Sequence, residues 1–315
     1  MEFIHVPVMP DEVIDGLNIR PEGIYLDGTA GGGGHSALIA ERLTTGRLYS
    51  LDRDPEAVEA AGKKLARFGD RVRVIRSNFV NGVEVLRGEG VPAVDGILLD
   101  LGVSSHQFDD PDRGFSYRYD SPLDMRMDTG QRVSAKEIVN ESSAEELTRI
   151  IKEYGEERYA GRIARAIVRS REEKEIRTTG DLTGIIEKTV RMSMRERGTN
   201  PSQRTFQALR IAVNSELDNI SDSLPGFIEM LSPGGRLCVI TFHSLEDRIV
   251  KNAMKTAENP CVCPPSFPVC VCGRKSLGKV ITRKPIIAGE KELEENPRAH
   301  SAKLRIFEKK KLEAD

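Results

Sequence analysis

Short apolar runs recur through the first hundred residues, each stopping at a polar or acidic residue. Ile24-Tyr25-Leu26 ends at Asp27 and Gly28, Arg47-Leu48-Tyr49-Ser50-Leu51 at Asp52, and Val94 to Leu99 at Asp100, while Val72, Val74 and Ile75 lead to Asn78-Phe79. Runs of this length, rich in β-branched and bulky residues, suit buried strands. Between them Leu38, Ile39 and Leu43, then Val58, Ala61 and Leu65, recur at helical spacing, and Val13, Ile14 and Leu17 do so ahead of the first strand. Strands alternating with helices predict an α/β fold with a mostly parallel sheet, doubly wound and covered on both faces. Ligands of such sheets sit beyond the carboxyl ends of the strands, so Asp27, Asp52, Phe79 and Asp100 are expected to converge on one crevice.

The pattern then changes. Residues 108 to 131 are rich in Asp, Arg, Gly and Pro and read as a long functional loop or linker. From residue 134 to about 210 the spacing is helical, with Ser134 or Ser143 as caps and Leu147, Ile150, Ile151, Tyr159, Ile163, Ala166 and Ile167 as apolar positions. Phe206 to Leu231 continues as helix with a break expected near Pro225-Gly226, and Ser232 to Gly235 reads as a turn. Arg236 to Thr241 is a fifth strand, and Val280-Ile281 and Ala302 to Phe307 supply two closing strands. The helical stretch is therefore an insertion between strands four and five. The expected division is 1–110 with 207–315 for the sheet domain and 111–206 for the insertion.

Candidate chemistry begins at the first strand. After Asp27 the chain breaks into Gly28-Thr29-Ala30-Gly31-Gly32-Gly33-Gly34-His35 and enters a helix, a turn where backbone can approach a nucleotide-like ligand because glycine has no Cβ. The spacing is not G-x-G-x-x-G, which counts against a nicotinamide-linked oxidoreductase. Asp52, at the end of the second strand, stands where a carboxylate can accept both ribose hydroxyls, while Asp54 is the better cap for the helix opening at Pro55. Glycine turn and acidic strand end together point to an adenosine-containing cofactor.

Composition narrows the rest. A chain of 315 residues suits a main domain plus a second one, and a net charge of −2 gives no global attraction to nucleic acid. The charge is nevertheless sorted: residues 149–210 carry 15 Lys and Arg against 9 Asp and Glu, about +6, leaving about −8 elsewhere. Arg158, Arg162, Arg165 and Arg169 fall on one helical face, either a solvated face or a phosphate-binding one. No basic flank or long apolar segment opens the chain, so neither signal peptide nor membrane span is expected, and a cytoplasmic location is. Cys238, in the fifth strand, reads as a small buried residue. Cys261, Cys263, Cys270 and Cys272 form two C-x-C pairs that admit a tetrathiolate zinc knot, although C-x-C is tighter than the usual ligand spacing and no metal ligand is assigned. Pro260-Cys261 has the form of a methyl-transfer nucleophile but lies beyond strand five, away from the strand-four end.

Several longer motifs carry a resemblance. Asp27-Gly28-Thr29-x-Gly31-x-Gly33-Gly34-His35-Ser36, Asp52-Arg53-Asp54, Gly96 to Ser105, Pro122-Leu123-Asp124-Met125-Arg126-Met127, Arg204 to Arg210 and Phe242 to Arg248 together closely resemble the bacterial RsmH family, also called MraW. The resemblance covers nearly the whole chain, residues 258–280 being least characteristic. It implies a class I, Rossmann-like methyltransferase that uses S-adenosylmethionine on the exocyclic amino nitrogen, N(4), of a P-site cytosine in 16S rRNA, within the small ribosomal subunit or its precursor. It also implies cofactor contacts at Gly33, Gly34, His35, Asp52, Phe79, Asp100 and Gln107. Asp100 is followed by Leu101-Gly102 in place of the Pro-Pro-aromatic signature of many amino methyltransferases, so Asp100 or backbone carbonyls of 101–105 are the candidates for engaging the amino group. Phe108, Phe115 and Tyr117 are candidates either for stacking on an extruded base or for packing. Methylation of DNA or protein, and RNA binding without catalysis, are the competing functions.

Overall fold

The computed structural model describes residues 7–190, 200–264, 267 and 269–311. The chain forms two compact units, Met1–Gly102 with Leu217–Asp315, and Val103–Glu216. The loop after strand four and the helix around Phe206 thus belong with the insertion. Phe206, Ala208, Leu209 and Val213 are buried in its core, which is why the boundaries fall earlier and later than the 110/111 and 206/207 expected from pattern alone.

The first unit opens with α1 (Pro10–Leu17), β1 (Ile24–Asp27), α2 (Gly34–Arg42), β2 (Arg47–Asp52), α3 (Pro55–Leu65), β3 (Val72–Arg76), α4 (Gly82–Gly88) and β4 (Val94–Asp100). The insertion carries α5 (Ser105–Asp109), α6 (Ala135–Glu141), α7 (Ala144–Gly155), α8 (Ala160–Glu173), α9 (Thr179–Thr189) and α10 (Pro201–Asn214). The chain returns through α11 (Glu216–Met230), β5 (Leu231–Thr241), α12 (Ser244–Glu258), β6 (Gly278–Val280), α13 (Glu290–Glu295) and β7 (Lys303–Lys309).

The seven strands form one sheet in the order β3-β2-β1-β4-β5-β7-β6. The first five run parallel, and β7 is antiparallel to both β5 and β6. Alternate residues feed two cores. Tyr25, Leu48, Leu98, Cys238 and Ile306 pack with α1, α2 and α3 on one face; Leu26, Leu51, Ile97, Leu99, Val239 and Phe307 pack with α4, α11 and α12 on the other. Burying both faces explains the near-continuous apolar runs. Strand order reverses between β1 and β4, the switch point where such sheets bind ligands.

Two expected features are relocated. The helix break is at Ser215, in the left-handed conformation (φ 49°), while Pro225 lies inside α11. β5 starts ahead of the expected turn: Leu231 pairs with Val94 and Arg236 with Gly96, and Ser232 to Gly235 bulge between these paired positions with Gly234 at φ 79°.

In the second unit, both serine caps form. Ser134 accepts the Lys136 N–H while Glu137 reaches back to the Ser134 N–H, and Ser143 accepts from Glu146. Residues 108–131 are not a linker. Phe115, Leu123, Met125 and Met127 are buried in the helical core, Asn214 accepts the Met127 N–H and donates to the Met125 carbonyl, and Arg113 donates to the carbonyls of Arg126 and Met127. Low periodicity hid this segment because scattered side-chain and backbone bonds, and not a regular ladder, satisfy its backbone.

Candidate active site

Asp27, Asp52 and Asp100 end three neighbouring strands, and their side chains are organised by the glycine turn between β1 and α2. Asp27 is fully buried; its Oδ1 accepts from the Thr29 N–H at 3.1 Å and its Oδ2 from the Ser36 hydroxyl at 2.6 Å. Ser36 lies 2.8 Å from the Ser50 hydroxyl on β2, so one polar chain crosses from strand end to helix to strand. Thr29 Oγ1 in turn accepts the Asp100 N–H at 2.6 Å and ties β4 to the turn.

Asp52 holds the turn from the other side. Its Oδ2 accepts the Gly31 N–H at 2.8 Å and its Oδ1 the Asp54 N–H at 2.9 Å. Burial pushes its carboxyl up to about 6 against these two bonds, with Asp54 and Asp27 adding to the rise. Asp54 caps α3 through the Glu56 N–H at 3.0 Å, as its position before Pro55 predicts. Gly31 (φ 50°) has open space where a Cβ would stand, and Gly33 (φ 77°) is the left-handed cap of α2; an L side chain at either would be strained.

Asp100 and His35 meet beside this network. The His35 ring is 5% exposed, with Nε2 2.8 Å from the Val8 carbonyl and Nδ1 3.6 Å from Asp100 Oδ2. A neutral ring donates from Nε2 to Val8, which leaves the Nδ1 lone pair towards the carboxyl. Burial pushes His35 down to about 4 and Asp100 up to about 8, the latter reinforced by Asp27 and Glu246. At neutral pH this is an uncharged pair. Asp100 Oδ1 is buried with no hydrogen-bond partner among the described residues, an acceptor whose desolvation is uncompensated.

Of the residues implied by the resemblance, Asp52, Phe79 and Asp100 are half-buried at the strand ends, whereas Gly33, Gly34 and His35 are buried, Gly34 against Pro7. Phe79 follows Asn78, whose side chain accepts the Val80 N–H. Gln107 lies in the other unit, where it and Ser104 cap α5 reciprocally at 3.1 and 3.2 Å. Sequence reasoning gave no role to Thr29, Ser36, Ser50 or Glu246. Glu246 is fully buried and its Oε2 accepts from the N–H groups of Phe242 and His243 at the start of α12; the readable signal was a glutamate at the third position of a helix.

The second unit carries its own candidate surface. Arg162, Arg165 and Arg169 of α8 and Lys188 of α9 line an open groove of about 710 Å³, with Glu173 the acidic residue on its wall. Arg158 precedes the helix, its guanidinium 5.6 Å from the Tyr159 ring centre. Phe115 is buried and Tyr117 packs edge-on against Phe206 with ring centres 5.7 Å apart, so both belong to the core, while Phe108 remains 37% exposed. No helix among the described residues is long and apolar enough to cross a membrane.

A sheet in the order 3-2-1-4-5-7-6 with an antiparallel seventh strand, and acidic strand ends around a glycine turn, define a class I, Rossmann-like methyltransferase. Residues 2–310 match the model of the MraW methylase family. Among similar proteins, ribosomal RNA small subunit methyltransferase H 2 of Agathobacter rectalis is 58% identical, covering 99% of this chain and 100% of its own. Ribosomal RNA small subunit methyltransferase H of Lachnospira eligens is 55% identical over 98% of both chains, and that of Heliobacterium modesticaldum 52% over 98% of this chain and 99% of its own. The chain belongs to the MraW methylase family.

Proposed function

We propose that this chain is an rRNA methyltransferase that uses S-adenosylmethionine to methylate the exocyclic N(4) of a P-site cytosine in the 16S RNA of the small ribosomal subunit or its precursor. The observation that carries the reading is the crevice at the β1/β4 switch point, where Asp52 and an unpartnered Asp100 acceptor flank open space at Gly31. Its residues fit the methyl donor. Asp52 spends one lone pair of each oxygen on backbone N–H groups and retains others for ribose hydroxyls. Gly31 leaves room for close approach, Phe79 would offer an apolar edge, and Asp100 would supply an acceptor and a latent negative charge to a cationic donor. The remaining implied contacts, Gly33, Gly34, His35 and Gln107, position the turn and the α5 loop.

When bound, the donor supplies a methyl already activated on a sulfonium, so the protein's task is alignment. Asp100, protonated in the crevice, would ionise to hold a positive charge brought beside it. Backbone carbonyls of 101–105 accept from the cytosine amino hydrogens and draw its lone pair out of conjugation. His35 stays neutral and fixes the turn through Val8. Arg162, Arg165, Arg169 and Lys188 engage RNA phosphates.

The test is incubation of the protein with methyl-labelled donor and, in parallel, small subunits, free 16S RNA, DNA and protein extract, followed by nuclease digestion and mass mapping. Label at N(4) of a single cytosine is expected. Label confined to DNA or protein, to a ring carbon, or absent from every substrate would refute the proposal.

A further inference from the structure

The Cys-Val-Cys pairs at 261–263 and 270–272 sit in the connection between α12 and β6, away from the crevice in sequence and unused by the proposed chemistry. All four are free thiols, and their sulfurs lie within 4.8 Å of one another. The separations are 3.4 Å for Cys270 to Cys272, 3.5 Å for Cys261 to Cys270, and 3.9 Å for Cys263 to Cys270 and Cys272 to Cys261. Four sulfurs around a zinc ion at about 2.3 Å form a tetrahedron with edges of roughly 3.8 Å. The cluster has the dimensions of that cage.

The surrounding backbone agrees. The N–H of Val271 donates to Cys263 Sγ at 3.3 Å, that of Cys263 to Cys261, and those of Val262 and Arg274 to Cys272. Donors aimed at sulfur offset the negative charge that four thiolates around a dication leave behind. Gly273 follows the second pair at φ 66°, allowing the chain to turn so that its N–H groups face the sulfur. Among its described residues, Cys261 to Cys272 contribute no side chain to a hydrophobic core. Val262, Phe267, Val269 and Val271 are 50 to 72% exposed, while its ends are pinned at Leu277 N–H to Ala257 O and Val280 N–H to Glu258 Oε1, both 2.9 Å. Free cysteines are usually among the most buried side chains; here Cys261 and Cys270 are exposed. Short loops that cannot bury apolar area are commonly held by metal or disulfide staples.

We propose that Cys261, Cys263, Cys270 and Cys272 bind one Zn²⁺ as a closed tetrathiolate that fixes the loop between α12 and β6. Four protein ligands leave no position for water or substrate, so the site is structural. Binding replaces four S–H protons by four Zn–S bonds and releases those protons to solvent, with no change of oxidation state, so affinity rises with pH. The C-x-C spacing is met by placing two adjacent ligands from each strand of the loop.

The full chain, purified anaerobically under reducing conditions, is analysed for metal by plasma mass spectrometry and by native mass. About one zinc per chain is expected, and Co²⁺ substitution is expected to give the visible and near-ultraviolet bands of tetrahedral cobalt thiolate. Cys263→Ala loses the zinc, Cys263→His retains it as a three-cysteine, one-histidine site, and Cys238→Ala, in the sheet, retains it. N-ethylmaleimide modifies the four thiols rapidly only after a chelator is added. A metal-free chain whose four thiols alkylate at once, a chain holding iron in place of zinc, or disulfides joining these cysteines in freshly reduced-and-repurified protein would each overturn the proposal. Methyl transfer is not the readout, so the outcome is independent of the proposed activity.

Discussion

Asp100→Asn isolates the charge that the crevice keeps in reserve. The wild-type carboxyl is pushed up to about 8, chiefly by burial, so at pH 7 about a tenth of the molecules carry the ionised form and at pH 9 about nine tenths do. If the cationic donor binds the ionised form, its apparent affinity scales with that fraction. Affinity should therefore rise about tenfold from pH 7 to pH 9, near 1.4 kcal/mol, with uptake of the donor accompanied by release of close to one proton at pH 7. Asparagine has the shape of the protonated acid and cannot ionise. The variant should fold, bind no more tightly than wild type does at pH 6 and show no rise above it. Calorimetric titration with S-adenosylmethionine from pH 6 to 9, in two buffers of different ionisation enthalpy, reads both affinity and proton count. Asp52, pushed up only to about 6, titrates in a lower window and does not mask the effect. An Asp100→Asn variant with the wild-type pH slope, or wild type with a flat profile, would remove Asp100 from the cation-binding role.

Three further outcomes are expected. Charge reversal in Arg162→Glu with Arg165→Glu should weaken RNA binding and lower the slope of log affinity against log salt by about two, measured by filter binding across a salt series; an unchanged slope assigns this face to solvent. His35 has a folded-state value depressed to about 4 from 6.5, so its contribution to stability is complete above pH 6.5 and is lost as pH falls towards 4; His35→Gln should make acid unfolding between those limits shallower in denaturant titrations, and an equally steep profile would contradict the buried neutral ring. At Gly114 the chain is at φ 68° and a Cβ would stand 2.1 Å from the Pro122 carbonyl oxygen, so Gly114→Ala should destabilise the helical unit by about 1–3 kcal/mol or more in urea unfolding; a stable variant would show that the segment can shift.

What was legible in the sequence depended on whether the cause was local. The apolar runs ending at Asp27, Asp52 and Asp100 are the observed strand ends because burial on both faces writes itself as a continuous stretch of Val, Ile and Leu. The mostly parallel sheet followed from the alternation of strands and helices, whereas the strand order, and with it the switch point between β1 and β4, is set by long-range pairing that no local pattern records. The helix break was misplaced because Pro225 is a strong local signal, whereas Ser215 adopts its left-handed conformation at the junction of two helices. Residues 108 to 131 read as a long functional loop or linker because much of their order comes from Arg113 and Asn214 side chains reaching distant backbone. The pairing of His35 with Asp100, and the part of Glu246 in raising that carboxyl, are likewise contacts between residues far apart in sequence. The cysteine spacing argued against a cage that the folded loop nevertheless brings to the right size.

The insertion has a consequence for the chain as it is made. β4 must wait for β5, its neighbour on the far side, until about 130 further residues have been translated, roughly ten seconds at ordinary elongation rates. During that interval Val94, Ile97, Leu98 and Leu99 form an apolar edge with its backbone groups open on one side. The helices of the intervening unit pack on one another, α7 on α8 and α10, and α8 on α9, and all are translated while the edge is still bare. The sheet can therefore be completed only after the whole inserted unit has been made.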